Sequence, residues 1–238
     1  MILDTSKIKF SERDIKKKLI LPKEISLDLA EETGLHIGDG SMNFYSGRGL
    51  FQLRGHKEDD KKHYQRRIKE LYKKLYNLEL NIRKMGSTGV IGFQVWSDAL
   101  VRFKHENLGL PVGKKRDLIL PKFINNQELF YSFVKGLFDT DGCLYIENKN
   151  RKPYPRIEIK IATKNLILEI VKRLNRYGIH STYYEYKRKE KNWNDLHYMV
   201  IRGYKYLNKW FKCIGSNNPK HIKKFCLVVE RKNGPAEI

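Results

Sequence analysis

The sequence contains one nine-residue stretch twice, and this duplication constrains the fold more than any other feature. The first copy is residues 32–40, ETGLHIGDG, and the second is residues 134–142, VKGLFDTDG. Each copy predicts the end of an apolar helix, because an acidic residue is followed at once by glycine, which readily takes left-handed or irregular conformations. Asp39 and Asp141 therefore stand at helix C-termini, where the helix dipole is unfavourable for a carboxylate. A cation, above all a divalent metal, is the expected partner of these acids.

Small residues recur four positions apart in each copy, Gly34 with Gly38 and Gly136 with Thr140. Positions i and i+4 lie on one helix face, and small residues on such a face let two helix backbones approach closely. We therefore expect the two helices to pack on each other, with the two acids side by side. The alternative is a pair of unrelated helices with ordinary turns, since Asp-Gly is a common turn dipeptide.

At these residues the chain resembles the LAGLIDADG homing endonucleases, in their single-chain form with two motifs. The final Asp-Gly and the inner Gly-Leu match in both copies, whereas Glu32, Thr33 and Ile37 depart from the family pattern. The resemblance extends over residues 20–230. It implies an α+β fold of two pseudo-symmetric αββαββα repeats packed through the motif helices, with antiparallel sheets forming a DNA-binding saddle.

The sequence ILPK also occurs twice, at residues 20–23 and 119–122, and divides the chain into repeats. The predicted parts are an N-terminal basic extension (1–19), a first repeat (20–118) and a second repeat (119–238). The extension is interpreted as a DNA-contacting arm or as a loosely held terminus. Ser26 is the expected cap of the first motif helix, and Asn125 with Glu128 resembles a capping box for the second.

Alternating and helical apolar patterns give each half the order αββαββα. The predicted strands are residues 42–45, 50–54, 80–87 and 90–96 in the first half, and 144–146, 156–161, 179–188 and 196–202 in the second. Helices are expected around residues 68–78 and 166–174, and again at residues 98–109 and 203–215. A loop containing Pro153 and Pro155 is expected before the strand at 156–161, and basic segments follow both closing helices.

Charge indicates a polyanionic partner. The 238 residues carry 48 Lys and Arg against 27 Asp and Glu, which gives a net charge of +21. The sequence has no apolar run of about 18 residues and its start lacks the pattern of a signal peptide, so no membrane association is expected. A soluble intracellular protein is predicted, in the cytoplasm or nucleoid or in an organelle matrix. Three widely spaced cysteines suggest neither a disulfide framework nor a zinc site.

Polar residues at alternate strand positions are candidates for contact with double-stranded DNA, because the major groove admits a two-stranded β-ribbon. The candidates are Gln52, Arg54, Gln94, Tyr145, Glu147, Arg156, Glu158, Lys160, Tyr184, Tyr186, Arg188 and Arg202. The alternative for each is a solvated strand residue. Further lysines are expected to contact phosphates, which adds affinity without sequence information.

The resemblance implies metal-dependent hydrolysis of one phosphodiester bond per strand. Mg²⁺ prefers oxygen ligands and often takes only one or two protein carboxylates, and Mn²⁺ is expected to substitute for it. Asp39 and Asp141 are the expected metal-binding and catalytic acids, with Gly38 and Thr140 beside them at the metal site. His36 lacks a partner at metal-ligand spacing, so it is interpreted as a packing or solvent-facing residue.

The resemblance also implies a catalytic lysine near the end of each half. Lys114 and Lys220 are the candidates, because alignment of the two halves places them opposite each other, and Lys115 and Lys223 are the alternatives. A polar residue at the end of the second strand of each half would correspond to position 55 or 56 in the first half and to position 163 or 164 in the second. Gly55 has no side chain to supply it.

We therefore expect a monomeric, Mg²⁺-dependent, site-specific double-strand DNA endonuclease, free-standing or intron-encoded. A non-cleaving nucleic-acid binder is the alternative, either a maturase that uses the same surface for intron RNA or a DNA-binding regulator. The presence of both motif acids favours the nuclease. A basic ribosome-associated or chromatin protein is a third possibility, which predicts weak sequence preference and no need for metal.

Overall fold

The computed structural model describes residues 2–86, 89–149, 152–189 and 194–233. Helices and antiparallel strands alternate along the chain, which confirms the predicted α+β class. The chain divides into two compact units, the first made of Met1–Lys115 and Pro121–Thr140, and the second of Arg116–Leu120 and Asp141–Ile238. The first motif helix and all but the last residue of the second therefore belong to the first unit.

Within the described residues, the first unit has a four-stranded antiparallel sheet in the order β1-β2-β4-β3. Its strands are β1 (Gly40–Tyr45), β2 (Arg48–His56), β3 (Arg83–Lys84) and β4 (Val90–Trp96). Ser46 and Gly47 have positive φ and close the predicted β1-β2 hairpin with the tight turn that suits strand twist. The helices are α1 (Glu12–Lys16), α2 (Leu27–Asp39), α3 (Lys61–His63), α4 (Lys69–Tyr76), α5 (Asp98–Arg102) and α6 (Gln127–Asp141). A π-helical turn (Tyr64–Ile68) joins α3 to α4, and another (Phe103–Asn107) follows α5.

The second unit, over its described residues, also has a four-stranded antiparallel sheet, in the order β5-β6-β8-β7. Its strands are β5 (Gly142–Lys149), β6 (Lys152–Ile161), β7 (Thr182–Tyr186) and β8 (Leu196–Arg202). Its helices are α7 (Lys164–Arg176), α8 (Tyr204–Cys213) and α9 (Pro219–Asn233). Leu166, Ile167, Ile170 and Leu174 form the buried face of α7, as their helical spacing predicted.

Strand β6 begins four residues earlier than predicted, at Lys152 rather than residue 156. The expected loop with two prolines is part of this strand, where Pro153 pairs with Asn148 and Pro155 with Ile146. The pairing of β6 with its other neighbour, β8, starts only at Arg156. The prolines are therefore tolerated, because this part of β6 lies at a sheet edge where the missing N–H group is not needed.

One strand and one helix cap in the first unit also differ from the prediction. The expected strand at 80–87, whose last residue lies outside the described part, is reduced to Arg83–Lys84. Leu78 and Leu80 are buried as coil, so burial and not sheet pairing explains the apolar pattern there. The cap of α6 is Asn126, whose Oδ1 accepts a hydrogen bond at 2.9 Å, and not Asn125. The predicted cap of α2, Ser26, is confirmed.

A helix, α9, occupies the region that was predicted only as a basic segment. Pro219 begins it, as proline often does at the first helical position, and the side chain of Asn218 accepts a hydrogen bond from the Lys220 amide at 3.1 Å. The helix packs against β5 and β6. Among the described residues, no helix combines the length and the apolar character needed to cross a membrane.

The N-terminal extension packs on the first unit, so its interpretation as a loosely held terminus is wrong. Leu3, Ile8 and Leu19 are buried, and Asp14, also buried, completes a capping box at the start of α1. The Lys17 ammonium donates to the carbonyl of Trp96 at 2.6 Å. Apolar residues spaced between the lysines dock this segment, and its contact with DNA stays a prediction.

The two motif helices cross at glycine. A Cβ atom at Gly34 would lie 2.1 Å from the carbonyl oxygen of Phe133, and one at Gly136 would lie 2.0 Å from that of Glu31. Neither distance is compatible with a side chain, so the backbones of α2 and α6 are in direct contact there. The expected packing of the two copies is confirmed, and one glycine from each copy makes it possible.

Ion pairs made by one buried acid, Glu31, also stabilise this crossing. The Arg67 guanidinium donates to both carboxylate oxygens of Glu31, at 2.9 and 2.8 Å, and also to Asp28 at 2.7 Å. Lys135 on α6 lies 3.0 Å from the same Glu31 carboxylate. Because a bidentate, charge-assisted contact is strong and directional, Glu31 fixes α2 against both α6 and the π-helical turn.

We predict that Gly34→Ala destabilises the protein, although alanine favours helix, because the methyl group would enter the backbone of α6. Overpacking of this kind reduces the free energy of unfolding by about 1–3 kcal/mol. Urea unfolding followed by circular dichroism measures the change. Ser132→Ala on α6 is the control, because it adds no atoms, and equal stability of the two variants would contradict the close crossing.

Candidate active site and nucleic-acid interface

Asp39 is the last residue of α2 and is partly exposed, as the first motif predicted. The glycine after it does not adopt a left-handed conformation, because Gly40 has φ −80° and ψ 154° and leads directly into β1. A Cβ atom there would lie 2.7 Å from both the Cα atom and the carbonyl oxygen of His36. Glycine is therefore required for close approach, and it lets the chain leave the helix immediately after the acid.

Lys115 compensates the negative end of this helix. Its Nζ donates to the carbonyl oxygens of His36, Ile37 and Gly38 at 3.2, 2.7 and 2.6 Å. These are carbonyls of the last turn, of which that of His36 also accepts from the Gly40 amide, and a cation is favourable at this end of the dipole. The ammonium of Lys115 thus compensates part of the negative potential that the helix dipole creates at Asp39. Lys114, the first candidate for catalytic lysine, is exposed beside it.

The hydroxyl of Tyr64 contacts the side chain of Asp39. Its hydroxyl lies 3.5 Å from Asp39 Oδ2, and the residue is 1% exposed. Burial raises the pKa of the phenol well above its usual range, and the charges of Asp39 and Asp60 act in the same direction. The hydroxyl therefore stays protonated at neutral pH and acts as a hydrogen-bond donor.

Asp141 has the corresponding place at the end of α6 and is also partly exposed. The hydroxyl of Thr140 donates to the carbonyl of Leu137 at 2.9 Å, so this side chain turns back along the helix. The adjacent acid, Asp139, is buried. Of the two acids at this helix end, Asp141 is the one that is accessible to a ligand.

The donor atoms near Asp39 fit a divalent cation that takes few protein ligands. Among the described residues, no three His, Cys, Asp or Glu side chains cluster as a metal site. A carboxylate on a partly exposed helix end suits Mg²⁺, which commonly keeps water and phosphate oxygens as its other ligands. The Gly38 carbonyl, proposed from sequence as part of the site, already accepts a hydrogen bond from Lys115. Asp39 is therefore the group in the first motif best suited to bind a cation.

Lys220 and Lys223 lie in the first turns of α9. Lys220 is partly exposed and Lys223 is exposed, whereas His221 between them is buried. Alignment of the two halves identified Lys220, with Lys223 as the alternative, without predicting that they belong to a helix.

The departure of the first motif at Glu32 is explained by a buried polar cluster. Glu32 is fully buried and forms an ion pair with Lys104, which is also fully buried. The hydroxyls of Tyr72 and Tyr76 donate to its carboxylate at 2.5 and 3.0 Å. The Lys104 ammonium lies 4.7 Å from the centre of the Phe51 ring. A charged residue is thus tolerated inside the motif because every oxygen of its carboxylate has a donor.

His36 is a packing residue, and the solvent-facing alternative is wrong. It is fully buried, and its ring centre lies 5.3 Å from that of Phe51. Burial lowers its pKa well below the usual range, and the charges of Lys104 and Lys115 act in the same direction. The imidazole is therefore neutral at physiological pH.

In the second unit, strand register places the polar candidates on one face of the sheet. Tyr145 pairs with Arg156, Arg156 with Arg202, and Lys160 with Tyr198, which is in turn opposite Tyr184. Directly paired residues of antiparallel strands share a face, and so do alternate residues of one strand. The residues that share this face are Tyr145, Glu147, Arg156, Glu158, Lys160, Tyr184, Tyr186 and Arg202. Arg188 lies beyond the end of β7.

Ion pairs and aromatic contacts organise this face. The Arg156 guanidinium donates to Glu147 and Glu158, each at 2.6 Å, and the Tyr145 hydroxyl donates to Glu158 at 2.9 Å. Arg202 donates to the hydroxyl of Tyr184 at 2.9 Å. Sequence reasoning missed Tyr198, whose place opposite Lys160 could have been found only from the register.

The first sheet resolves the strand phase that the sequence left open. Gln52 pairs with Gln94, so both side chains share the face on which Arg54 also lies, and Arg54 donates to Gln52 at 2.7 Å. Ser41 pairs with Gln52 and belongs to the same face. Further residues of this face that the sequence did not identify are Asn43, Tyr45 and Arg48. Three predicted residues are therefore together, within a wider polar surface.

We predict that Lys115→Met lowers the free energy of unfolding, because three carbonyls at the end of α2 lose a charged donor. Hydrogen bonds to charged groups contribute about 1.5–3 kcal/mol, which gives the expected loss. Thermal and urea unfolding measure it. Lys114→Met is the matched control and should change stability by less than about 0.5 kcal/mol, as exposed substitutions do. Equal stability of the two variants would exclude the capping role of Lys115.

We also predict that Lys104→Met destabilises the protein by about 3–5 kcal/mol, because it leaves the Glu32 carboxylate buried without its cation. The double substitution Glu32→Gln with Lys104→Met should recover part of this loss, because both charges are then absent and the glutamine oxygen still accepts from a tyrosine hydroxyl. Urea unfolding of the single and double variants measures the coupling, with Arg102→Met as the exposed control. Additive losses in the double variant would contradict the ion pair.

Two comparisons of sequence relate the chain to known proteins. Residues 131–215 match the family model of the LAGLIDADG-like domain. The chain is 30% identical over 215 residues to the glutamine–fructose-6-phosphate aminotransferase (isomerizing) of Methanocaldococcus jannaschii, covering 90% of this chain and 18% of that protein. It is 28% identical over 208 residues to the replication factor C small subunit of the same organism, covering 87% of this chain and 10% of that protein. The chain thus spans less than a fifth of the length of the curated relatives it matches.

Solved structures share the fold. The homing endonuclease I-DmoI in complex with DNA and Mn has a TM-score of 0.56 and 19% identity, covering 81% of this chain and 98% of that chain. The LAGLIDADG meganuclease I-AabMI bound to uncleaved DNA has a TM-score of 0.56 and 12% identity, covering 88% and 92%. The corresponding values for I-GzeII with its DNA target are 0.53, 14%, 90% and 94%. Residues 131–215 therefore carry a LAGLIDADG-like domain, and the chain, with its two helices that end in Asp-Gly, has the fold of these homing endonucleases.

Proposed function

We propose that the protein is a site-specific endonuclease that cuts both strands of a long DNA target by metal-dependent hydrolysis. The observation that supports this proposal is that both motif acids remain accessible at helix ends. Asp39 and Asp141 each end a helix and remain partly exposed, although the residues around them in both helices are largely buried. A carboxylate kept accessible at the unfavourable end of a helix dipole is explained by a cation that it serves.

Each side chain has a distinct role in this proposal. Asp39 and Asp141 would each hold a divalent cation, Mg²⁺ or Mn²⁺, through carboxylate oxygens. When bound, the cation supplies a water of lowered pKa and stabilises charge on the reacting phosphate. Lys115 holds the end of α2 in place, and the exposed ammonium of Lys114 is available to a phosphate. Lys220 is the candidate for the same role in the second half.

We assign DNA contact to the polar faces of the two sheets. Side chains on alternate strand positions can reach base edges in the major groove, while surplus lysines bind phosphates. The net charge of +21 supports this assignment, and so do the DNA complexes of proteins with the same fold. On this assignment the protein acts as a monomer, with one repeat starting at residue 20 and the other at residue 119.

The curated relatives indicate that segments of this kind occur within longer proteins. Segments that match this chain form a minor part of two proteins whose names describe an aminotransferase and a replication factor subunit. Proteins with such different names share this segment, which supports a mobile module that resides within host proteins. We therefore propose that the protein originates as a module within a host protein, in place of the free-standing or intron-encoded protein expected from the sequence. The target is then a host gene at the site where the module is absent.

The test is cleavage of supercoiled plasmids that carry host-derived inserts, including the two genes with the matching segment removed, or randomised inserts. We expect linear product at one site with Mg²⁺ or Mn²⁺ and none with EDTA. Asp39→Asn and Asp141→Asn should each reduce cleavage by about 10²-fold or more, or to nicking, because each carboxylate is needed to hold a cation.

Asp59→Asn is the control, since Asp59 is an exposed acid outside the motifs and its variant should cleave like the wild type. Tight, specific DNA binding without cleavage in either metal would contradict the nuclease and support a regulator. Splicing of an intron RNA without cleavage of any DNA would support a maturase. Cleavage that survives both motif substitutions would show that the acids do not hold the metal.

A further inference from the structure

Tyr64 occupies an unusual place in the first unit. It is the first residue of the π-helical turn Tyr64–Ile68, which interrupts the helical run between α3 and α4. Such turns change the direction of side chains and frequently occur at functional sites. Its ring is buried, and its hydroxyl lies 3.5 Å from Oδ2 of the motif acid Asp39.

Strand β2 has a glycine at the point where the ring of Tyr64 packs against it. A Cβ atom at Gly55 would lie 2.7 Å from Cε2 of Tyr64 and 3.1 Å from its hydroxyl oxygen. Any other residue at position 55 would therefore displace the phenol from Asp39. Gly55 is partly exposed and has negative φ, so the approach of Tyr64, and not backbone conformation, explains glycine here.

Asp60 also helps to fix the position of Tyr64. Its backbone carbonyl accepts a hydrogen bond from the Tyr64 amide at 2.9 Å, which starts the helical run. Its carboxylate accepts one from the His56 amide at 2.7 Å, which ties the end of β2 to this run. Asp60 is buried, and its Oδ2 also lies 3.0 Å from where a Cβ atom of Gly55 would be. The ring of Tyr64 is thus held between β2 and the end of α2.

We propose that Tyr64 is a positioning residue that orients the Asp39 carboxylate for cation binding and so for cleavage. The inference rests on the proposed function of Asp39. In this role Tyr64 donates to Oδ2 and fixes the plane of the carboxylate at the end of the helix. It would act through the acid, by this contact, and not on the substrate or the cation directly.

Other buried tyrosines show how Tyr64 differs from a residue of the core. Tyr72 and Tyr76 donate to Glu32, whose carboxylate is fully buried and paired with Lys104. The acceptor of Tyr64 is instead a partly exposed carboxylate at the motif end. Its distance of 3.5 Å is long for a hydrogen bond, and such bonds at catalytic groups often shorten when the reacting complex forms.

The experiment compares Tyr64→Phe with Tyr76→Phe. Each variant loses one buried hydroxyl that faces a carboxylate and keeps the ring, so each should fold, with a similar loss of stability. Ca²⁺ binding is measured by calorimetry on each protein bound to a DNA duplex recovered from the plasmid selection, or on the free protein if none is recovered. Single-turnover cleavage of each labelled strand is measured over a range of Mg²⁺ concentrations, well below the melting temperature.

We expect Tyr64→Phe to weaken Ca²⁺ binding and to raise the Mg²⁺ concentration for half-maximal cleavage by about 10-fold to 100-fold, as loss of a hydrogen bond to a metal ligand commonly does. One strand should be affected more than the other, because only one motif acid loses its donor. Tyr76→Phe should match the wild type in both measurements.

Three results would overturn the inference. If the wild type cleaves and Tyr64→Phe has unchanged metal dependence, Tyr64 is a core residue, while the proposed function stands. If Tyr64→Phe and Tyr76→Phe are impaired equally, loss of stability and not positioning explains the effect. If the wild type binds no Ca²⁺, the inference fails together with the proposed function.

Discussion

The close crossing of α2 and α6 is the constraint on which the rest of the site depends. A Cβ atom at Gly34 would lie 2.1 Å, and one at Gly136 2.0 Å, from a backbone oxygen of the other helix, which is far inside van der Waals contact. Because the helices meet at this distance, each runs through a largely buried environment and emerges at its acidic end. The crossing therefore determines where Asp39 and the end of α6 can be placed, and Glu31 holds the geometry with cations from two neighbouring elements.

Polar groups then adapt one helix end to its unfavourable charge. Lys115 neutralises the terminal carbonyls, Tyr64 donates to the carboxylate of Asp39, and Gly55 leaves room for the ring. None of these three residues belongs to the motif. The motif supplies the acid, and residues distant in sequence supply the environment that makes an exposed carboxylate tolerable there. Glu32 shows a related principle, since a charge inside the motif is accommodated only with Lys104 and two tyrosine hydroxyls around it.

Much of the fold could be predicted because its determinants are local or repeated: the duplicated motif, the hairpin after it, the Ser26 cap and the alternation along β6. Other features depend on tertiary contacts that no local pattern contains. Pro155 lies inside a strand because the paired part of β8 ends before it, so that no ladder hydrogen bond needs its missing N–H group, and Leu80 is buried without being part of a strand. For the site, the acids were identifiable from sequence, whereas the contact of Tyr64 with Asp39 required knowledge of the π-helical turn. Lys115 was noted only as an alternative, and its capping of α2 depends on contacts between residues far apart in sequence.

We propose that the motif acid Asp39 binds a divalent cation beside DNA. The most direct test is a crystal structure of the protein with its target DNA and Mn²⁺, with anomalous diffraction measured at the manganese edge. We expect an anomalous peak within coordination distance of the Asp39 carboxylate, with Tyr64 hydrogen-bonded to the same group and Lys115 still bound to the helix carbonyls. Bound DNA with manganese only at other positions, or with none, would contradict it.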